Sequence, residues 1–308
     1  MIRSIRPTDL PRLASLNRRG LVNEAYSRRD LTQPRRSLSL GMVLSHWLAL
    51  EENRQTWVNV ERRRIDGLIS ARHEGNAWEI DRLVVEPDAE PRLVQRLLSY
   101  LTAVGGEVGI QKLYLRLPAM SELVEAARGA GFLLYNAETL YVRTVPASPV
   151  RKSRLPPGVR PKASHDLQAL FQLYCAAVPL AVRQAEAMTL SEWQQLRLRT
   201  RSALRCKELV AEREGQLVGW LQLEWRGAAG YLELLALPDS PDIVDTLLDV
   251  ALMLQGGRAP WYCLVAEHEA RLAHALGERG FQPEASFCAL VKQLSVRVKQ
   301  PRLVPVPG

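Results

Sequence analysis

The feature that most constrains this chain is that it repeats itself. Ile5-Arg6-Pro7 followed by DLPRLASL matches Val159-Arg160-Pro161 followed by SHDLQALFQL, and each reads as a short strand leading into an amphipathic helix. A second helix carries Trp47 in the first copy and Trp193 in the second. A strand pair comes next, TWVNVERRRIDGLISARHE and then KELVAEREGQLVGWLQLEW, with Gly67 and Gly219 at corresponding places. The following strand, Glu79–Glu86 or Tyr231–Leu237, is closed by Pro87 or Pro238. A helix then ends at Gly105-Gly106 or Gly256-Gly257, and in both copies the first glycine lies eighteen residues after the proline. Each copy finishes with an apolar strand, a helix, Gly-Phe (Gly131-Phe132, Gly280-Phe281) and a last strand pair.

Length agrees with this division, because 308 residues suit two cores of about 140 residues better than one. The boundary falls in TVPASPVRKSRLPPG, whose prolines and glycine continue neither a helix nor a central strand. The expected domains are therefore 1–143 and 159–294, joined by a linker, 144–158, and followed by a tail, 295–308. The net charge of +8 is concentrated in those connecting pieces, as Arg151, Lys152 and Arg154 in the linker and Arg297, Lys299 and Arg302 in the tail. Such segments suit an acidic partner or RNA, or simply keep the chain soluble. The start, MIRSIRPTDL, has no signal-peptide layout and no apolar run is long enough to span a bilayer, so a soluble cytoplasmic protein is expected. The four cysteines, all in the second half at wide spacings, read as reduced thiols rather than disulfides or a metal site.

The element order resembles that of the GNAT acetyltransferase superfamily over nearly the whole chain, twice. The strongest local match is WEIDRLVVEP, residues 78–87, which looks like the family's fourth strand. The resemblance implies an α+β fold of two tandem GNAT-like domains, each a mixed, mostly antiparallel sheet flanked by helices. It also implies acetyl-CoA as cofactor, with the strand around Val84 and Val85 pairing with the pantetheine arm. In the family a glycine-rich turn after that strand lets backbone N–H groups at a helix start hold the diphosphate. Here Arg92 and Val94, flanking Leu93, stand where the glycines belong in the first copy, and Asp242 and Val244 in the second. Prolines 91 and 241 remove donors, and Asp88, Glu90, Asp239 and Asp242 oppose phosphate. The same residues also read as self-sufficient helix starts. In the first copy Arg92 remains available to a phosphate.

Acetyl transfer to an amine needs a base for the amine and an acid for the leaving thiolate. Glu79 matches the family's carboxylate on the fourth strand, and Asp81 shares its face by strand alternation. Partnered surface carboxylates are the other reading of both. The tyrosine that often serves as the acid is replaced by Ala127 and Leu276. His268 and His274 read as solvated. Two functions remain open: an acyl-CoA-dependent N-acetyltransferase acting on an unknown amine through the first copy, or a non-catalytic module binding protein or nucleic acid. Pairing of the two copies within one chain and homodimerisation both fit. No metal is expected.

Overall fold

The computed structural model describes residues 1–9, 11–13, 21–28, 31, 53–61, 64–145, 154–200, 205–226, 229–255 and 259–294. The expectations on Trp47, on Gly256-Gly257, on Arg151 and Lys152 and on the tail lie outside them. The N-terminal half contains β1 (Ile2–Ser4), a 3-10 turn, β2 (Arg54–Glu61), β3 (Arg64–Glu74), β4 (Ala77–Val85), α1 (Leu93–Glu107), β5 (Lys112–Pro118), α2 (Leu123–Gly129) and β6 (Leu133–Arg143). The C-terminal half contains β7 (Val159–Pro161), a 3-10 turn, α3 (Leu167–Ala177), α4 (Leu180–Glu186), α5 (Leu190–Thr200), β8 (Arg205–Arg213) and β9 (Gln216–Arg226). It continues with β10 (Ala229–Ala236), α6 (Pro241–Gln255), β11 (Trp261–Ala266), α7 (Ala270–Glu278) and β12 (Gln282–Gln293). The fold is α+β with a mixed sheet, and among the described residues no helix is long and apolar enough to cross a membrane.

The glycines singled out in the sequence have steric reasons. A Cβ on Gly67 would lie 2.9 Å from Leu93 Cδ2, and one on Gly219 would lie 2.5 Å from Ile243 Cγ2. In both halves the helix after the fourth strand therefore packs directly on the third. Gly131 and Gly280 have φ of +84° and +78°, the left-handed geometry that ends a helix and turns the chain into the buried Phe132 and Phe281.

Three local expectations shift. The first strand is Ile2–Ser4, not Ile5–Pro7, and its counterpart is Val159–Pro161. A bidentate ion pair fixes this register in each half: Arg3 donates to Asp9 at 2.7 and 2.8 Å, and Arg160 to Asp166 at 2.8 Å through both nitrogens. The helix expected to end at Gly105 runs on to Glu107. The expected last strand pair is one long strand in each half; in β12 the ladder slips at Pro283, which has no N–H to give.

Those last strands join the halves. Among the described residues the sheet has twelve strands in the order β1-β2-β3-β4-β5-β12-β6-β11-β10-β9-β8-β7. Each half's final strand has crossed into the other: β12 pairs with β5, β6 pairs with β11, and β6 and β12 run antiparallel at the centre. Helices α1 and α2 cover one face of the N-terminal half and α6 and α7 one face of the C-terminal half, each over its own apolar core. A further cluster, with Leu170, Tyr174, Trp193 and Trp220, packs α3 and α5 on the opposite face of the C-terminal half.

Candidate functional site

In each half the fourth and fifth strands run parallel for a few residues and then part. In the N-terminal half β4 and β5 pair from Ala77 with Lys112 to Ile80 with Leu115. Beyond that point the chain fills its own gap with residues 23–26. Glu24 N donates to Leu83 O at 3.0 Å, and Tyr26 N donates to Arg116 O at 3.0 Å, so the segment bridges both strands. The Asn23 amide completes the seal, accepting from Leu83 N at 2.8 Å and donating to Asp81 O at 2.9 Å. Ala25 is buried in the core between them.

In the C-terminal half β10 and β11 pair only from Gly230 with Trp261 to Leu232 with Cys263. Past that point lies a cavity of about 100 Å³, floored by Glu233 and Leu235 of β10 and by Leu264 and Ala266 of β11. Its aromatic wall is Tyr174, Trp193 and Trp220. On this side the chain after α3, Leu180–Glu186, is a helix.

Four carboxyl groups line this cavity, Glu138, Glu186, Glu233 and Glu269, against the guanidinium groups of Arg28 and Arg197. Arg28 reaches in from the N-terminal half and lies 3.3 Å from Glu138, 3.4 Å from Glu186 and 3.5 Å from Glu233. Burial disfavours its charge, but those three carboxylates outweigh burial and raise its pKa. Arg116 donates to Glu138 at 2.6 Å. Burial works against the Glu138 carboxylate too, yet Arg116 and Arg28 hold its pKa below the ordinary value. Burial alone dominates at Glu233, whose pKa is raised, and at Glu269, which is pushed up to about 7. Glu269 Oε2 accepts from Ala266 N at 2.8 Å, which holds it at the start of α7. His268 stands at the rim, where partial burial lowers its pKa. Among the described residues no cluster of His, Cys, Asp or Glu is arranged to hold a metal ion.

The residues expected from the sequence lie elsewhere. Glu79 lies 3.9 Å from Arg116 Nη1. Asp81 is buried, accepts from Arg54 Nε at 2.9 Å and lies 3.5 Å from Arg72. A bulge falls there, since Ser70 opposes Arg82 while Ala71 opposes Ile80. Val84 is buried among Val58, Ile65 and Leu68, and Val85 packs against the core under α1. Leu93 and Val94 are buried in that core, whereas Arg92 is exposed ahead of the helix. The cavity carboxylates come from four distant stretches, and the signal they left was an isolated Glu inside otherwise apolar strand sequence, as in YLELLA and NAETLYV.

At the two turns after the fourth strands, several N–H groups already have partners within the chain. Ala89 N donates to Glu86 O and Leu93 N to Glu90 O in the first. Leu237 N donates to Val218 O, Ser240 N to Leu237 O and Ile243 N to Ser240 O in the second. Pro241 contributes none, and Asp242 projects into solvent beside Arg213.

No protein-family model matches the sequence, and no curated protein does. Solved structures do. One is a GCN5-related N-acetyltransferase from Sphaerobacter thermophilus, with TM-score 0.57 and 14% identity, covering 95% of each chain. Another is a tandem GNAT protein from the clavulanic acid biosynthesis pathway, with TM-score 0.52 and 14% identity, covering 95% of this chain and 98% of that one. At such identities the likeness defines a fold, and the fold of this chain is that of the GNAT acetyltransferases.

Proposed function

We propose that the chain is two tandem copies of the acetyltransferase fold, locked together by exchanged last strands, and that it works as an amine-binding protein through the cavity of its C-terminal half. The observation that carries this reading is the contrast between the two clefts. The N-terminal one, where Glu79, Asp81, Val84 and Val85 were expected to act, is occupied by residues 23–26. The C-terminal one opens into a pocket with four carboxyl groups against two guanidinium groups and aromatic walls, an environment that favours a cationic amine. Acetyl-CoA does not suit the residues present. A diphosphate needs several N–H groups aimed at it, and at the two turns Leu93 N, Ser240 N and Ile243 N already donate within the chain, Pro91 and Pro241 offer none, and Glu90 and Asp242 carry like charge.

A second reading is favoured by one group. Glu269, at about 7, is poised to take a proton from an ammonium, which is what acyl transfer to that amine would require. Calorimetry separates the two. Titration with 3-methylbutylamine is expected to give saturable heat and titration with acetyl-CoA none. Heat from acetyl-CoA at micromolar concentration would replace the binding reading by the catalytic one. Absence of amine binding would remove the first reading altogether.

A further inference from the structure

The four carboxyl groups of the cavity are not equally available to a ligand. Glu138 and Glu186 are buried, their side chains 1% and 7% exposed, and both already have partners. Arg116 donates to Glu138 at 2.6 Å and Tyr135 Oη to Glu186 at 3.3 Å. Arg28 Nη2 donates to both carboxylates, at 3.3 and 3.4 Å. The Glu233 side chain is 28% exposed, with Arg28 Nη1 at 3.5 Å. Glu269 is half-buried, and among the described residues it has no ion-pair partner.

Charge follows the same division. Arg116 and Arg28 hold the Glu138 pKa down, and a carboxylate paired in this way calls for no further cation. Glu233 and Glu269 are both raised, because burial outweighs the cations within reach, and the charge of Glu233 adds to the effect at Glu269. Arg197 does not make up that shortfall. It is held by Glu208 and stacks over Trp220 at 4.6 Å and over Trp193 at 5.1 Å.

Strand order sets these groups in sequence across the cavity. Glu138 is on β6 and Glu233 on β10, two strand spacings apart in the order β6-β11-β10, which is about 10 Å. The Arg28 guanidinium stands between them, Nη2 towards Glu138 and Nη1 towards Glu233. Glu269 follows β11 at the start of α7, next to His268 at the rim. An entering ammonium therefore meets Glu233 and Glu269, with Arg28 as the inner limit of its site. A second ammonium further in would meet the guanidinium, and like charges a few ångströms apart in a partly buried site repel strongly.

We propose that Arg28 is the specificity-determining residue of the amine site: it fills the inner cation position among Glu138, Glu186 and Glu233, and so restricts the ligand to a monoamine whose ammonium is held by Glu233 and Glu269. The inference rests on the amine-binding reading and adds which amines are admitted.

Calorimetry on the full chain at pH 8, with butylamine and 1,4-diaminobutane as matched probes, tests it. The wild type is expected to bind butylamine about tenfold or more tightly than the diamine. In Arg28→Ala both should bind more tightly and the order should reverse, to about tenfold in favour of the diamine, whose second ammonium takes the place of the guanidinium. Glu269→Gln keeps an acceptor for Ala266 N and serves where Arg28→Ala does not fold. It should weaken butylamine binding by about threefold or more. Diamine binding to the wild type as tight as that of butylamine overturns the role of Arg28 while leaving amine binding intact, and so does a folded R28A that still prefers butylamine. Unchanged butylamine affinity in E269Q overturns the placement of the ammonium. Binding of neither amine to the wild type overturns the amine-binding reading and this inference with it.

Discussion

The two halves lay five strands in the same order, β1 to β5 and β7 to β11, and treat the gap beside the parallel pair in opposite ways. In the N-terminal half residues 23–26 enter between β4 and β5 and satisfy the exposed strand edge with their own amides. In the C-terminal half the chain after α3 coils into α4, and the gap leads to the acidic cavity. The difference shows that parting strands impose a demand rather than a function: exposed N–H and C=O groups must be satisfied by something. One half meets it with its own chain, and in the other the gap leads to the cavity. Because Arg28 follows the sealing segment by two residues, closing one cleft also delivers a cation to the other.

That linkage is where the comparison is most easily broken. Arg28→Ala would leave Glu138, Glu186 and Glu233 without the charge they share, and removing one member of a buried ion cluster costs about 3–5 kcal/mol. Urea denaturation of the variant measures this. A loss below about 1 kcal/mol would show that the halves are not coupled through this side chain. Where the variant stays folded, amines should bind more tightly, because a competing cation is gone.

Asn23→Ala tests the seal itself. Its side chain makes four hydrogen bonds, to Leu83 N, Asp81 O, Ala25 N and Ala25 O. Truncation should destabilise the protein by about 2–3 kcal/mol, less than the loss at Arg28 because water can reach part of the gap. Amide exchange at Leu83 should quicken well beyond that at Leu234, its counterpart in the open half. Unchanged protection at Leu83 would mean that the backbone of Glu24 to Tyr26 closes the cleft without the amide.

How much of this the sequence disclosed follows from range. Gly67 with Gly219 and Gly131 with Gly280 are legible because each answers a local steric demand, a helix too close for a Cβ or a positive φ. The exchange of β6 and β12 is not, since strand periodicity says which face is buried and nothing about which neighbour supplies the ladder. Residues 23–26 carry no periodicity; they are a strand's worth of hydrogen bonds made by an amide side chain and three peptide units. The carboxylates at 138, 186, 233 and 269 meet only through tertiary structure. Glu79 and Asp81 were legible as carboxylates on a fourth strand, but their partners, Arg116, Arg54 and Arg72, were not.

Acidity gives a smaller effect confined to the open half. Glu269 has an ordinary value of 4.5 and a folded value of about 7, so the folded protein holds more protons than the unfolded chain between those limits. Its contribution to stability is complete below about 4.5 and declines as pH rises to about 7, a slope that Glu269→Gln should remove. Amine affinity should move the other way. Ionisation above about 7 adds a negative charge to the cavity, so binding at pH 8 should exceed binding at pH 6 by about threefold or more, and E269Q should flatten the profile. No pH dependence in the wild type would exclude Glu269 from the cation's surroundings.

The smallest expected effects are at the two turns, and they separate charge from geometry as the reason for excluding a diphosphate. Glu90 pairs with Arg96 and Asp242 with Arg213, and all four side chains are largely solvated. Replacing either acid by alanine should change stability by no more than about 0.5 kcal/mol. If repulsion were the obstacle, Glu90→Ala or Asp242→Ala would admit acetyl-CoA. If the obstacle is that Leu93 N, Ser240 N and Ile243 N already donate within the turn, neither variant binds it, because removing a carboxylate frees no donor. Titration of both variants with acetyl-CoA decides between these, and the bonding within the turns predicts no heat from either.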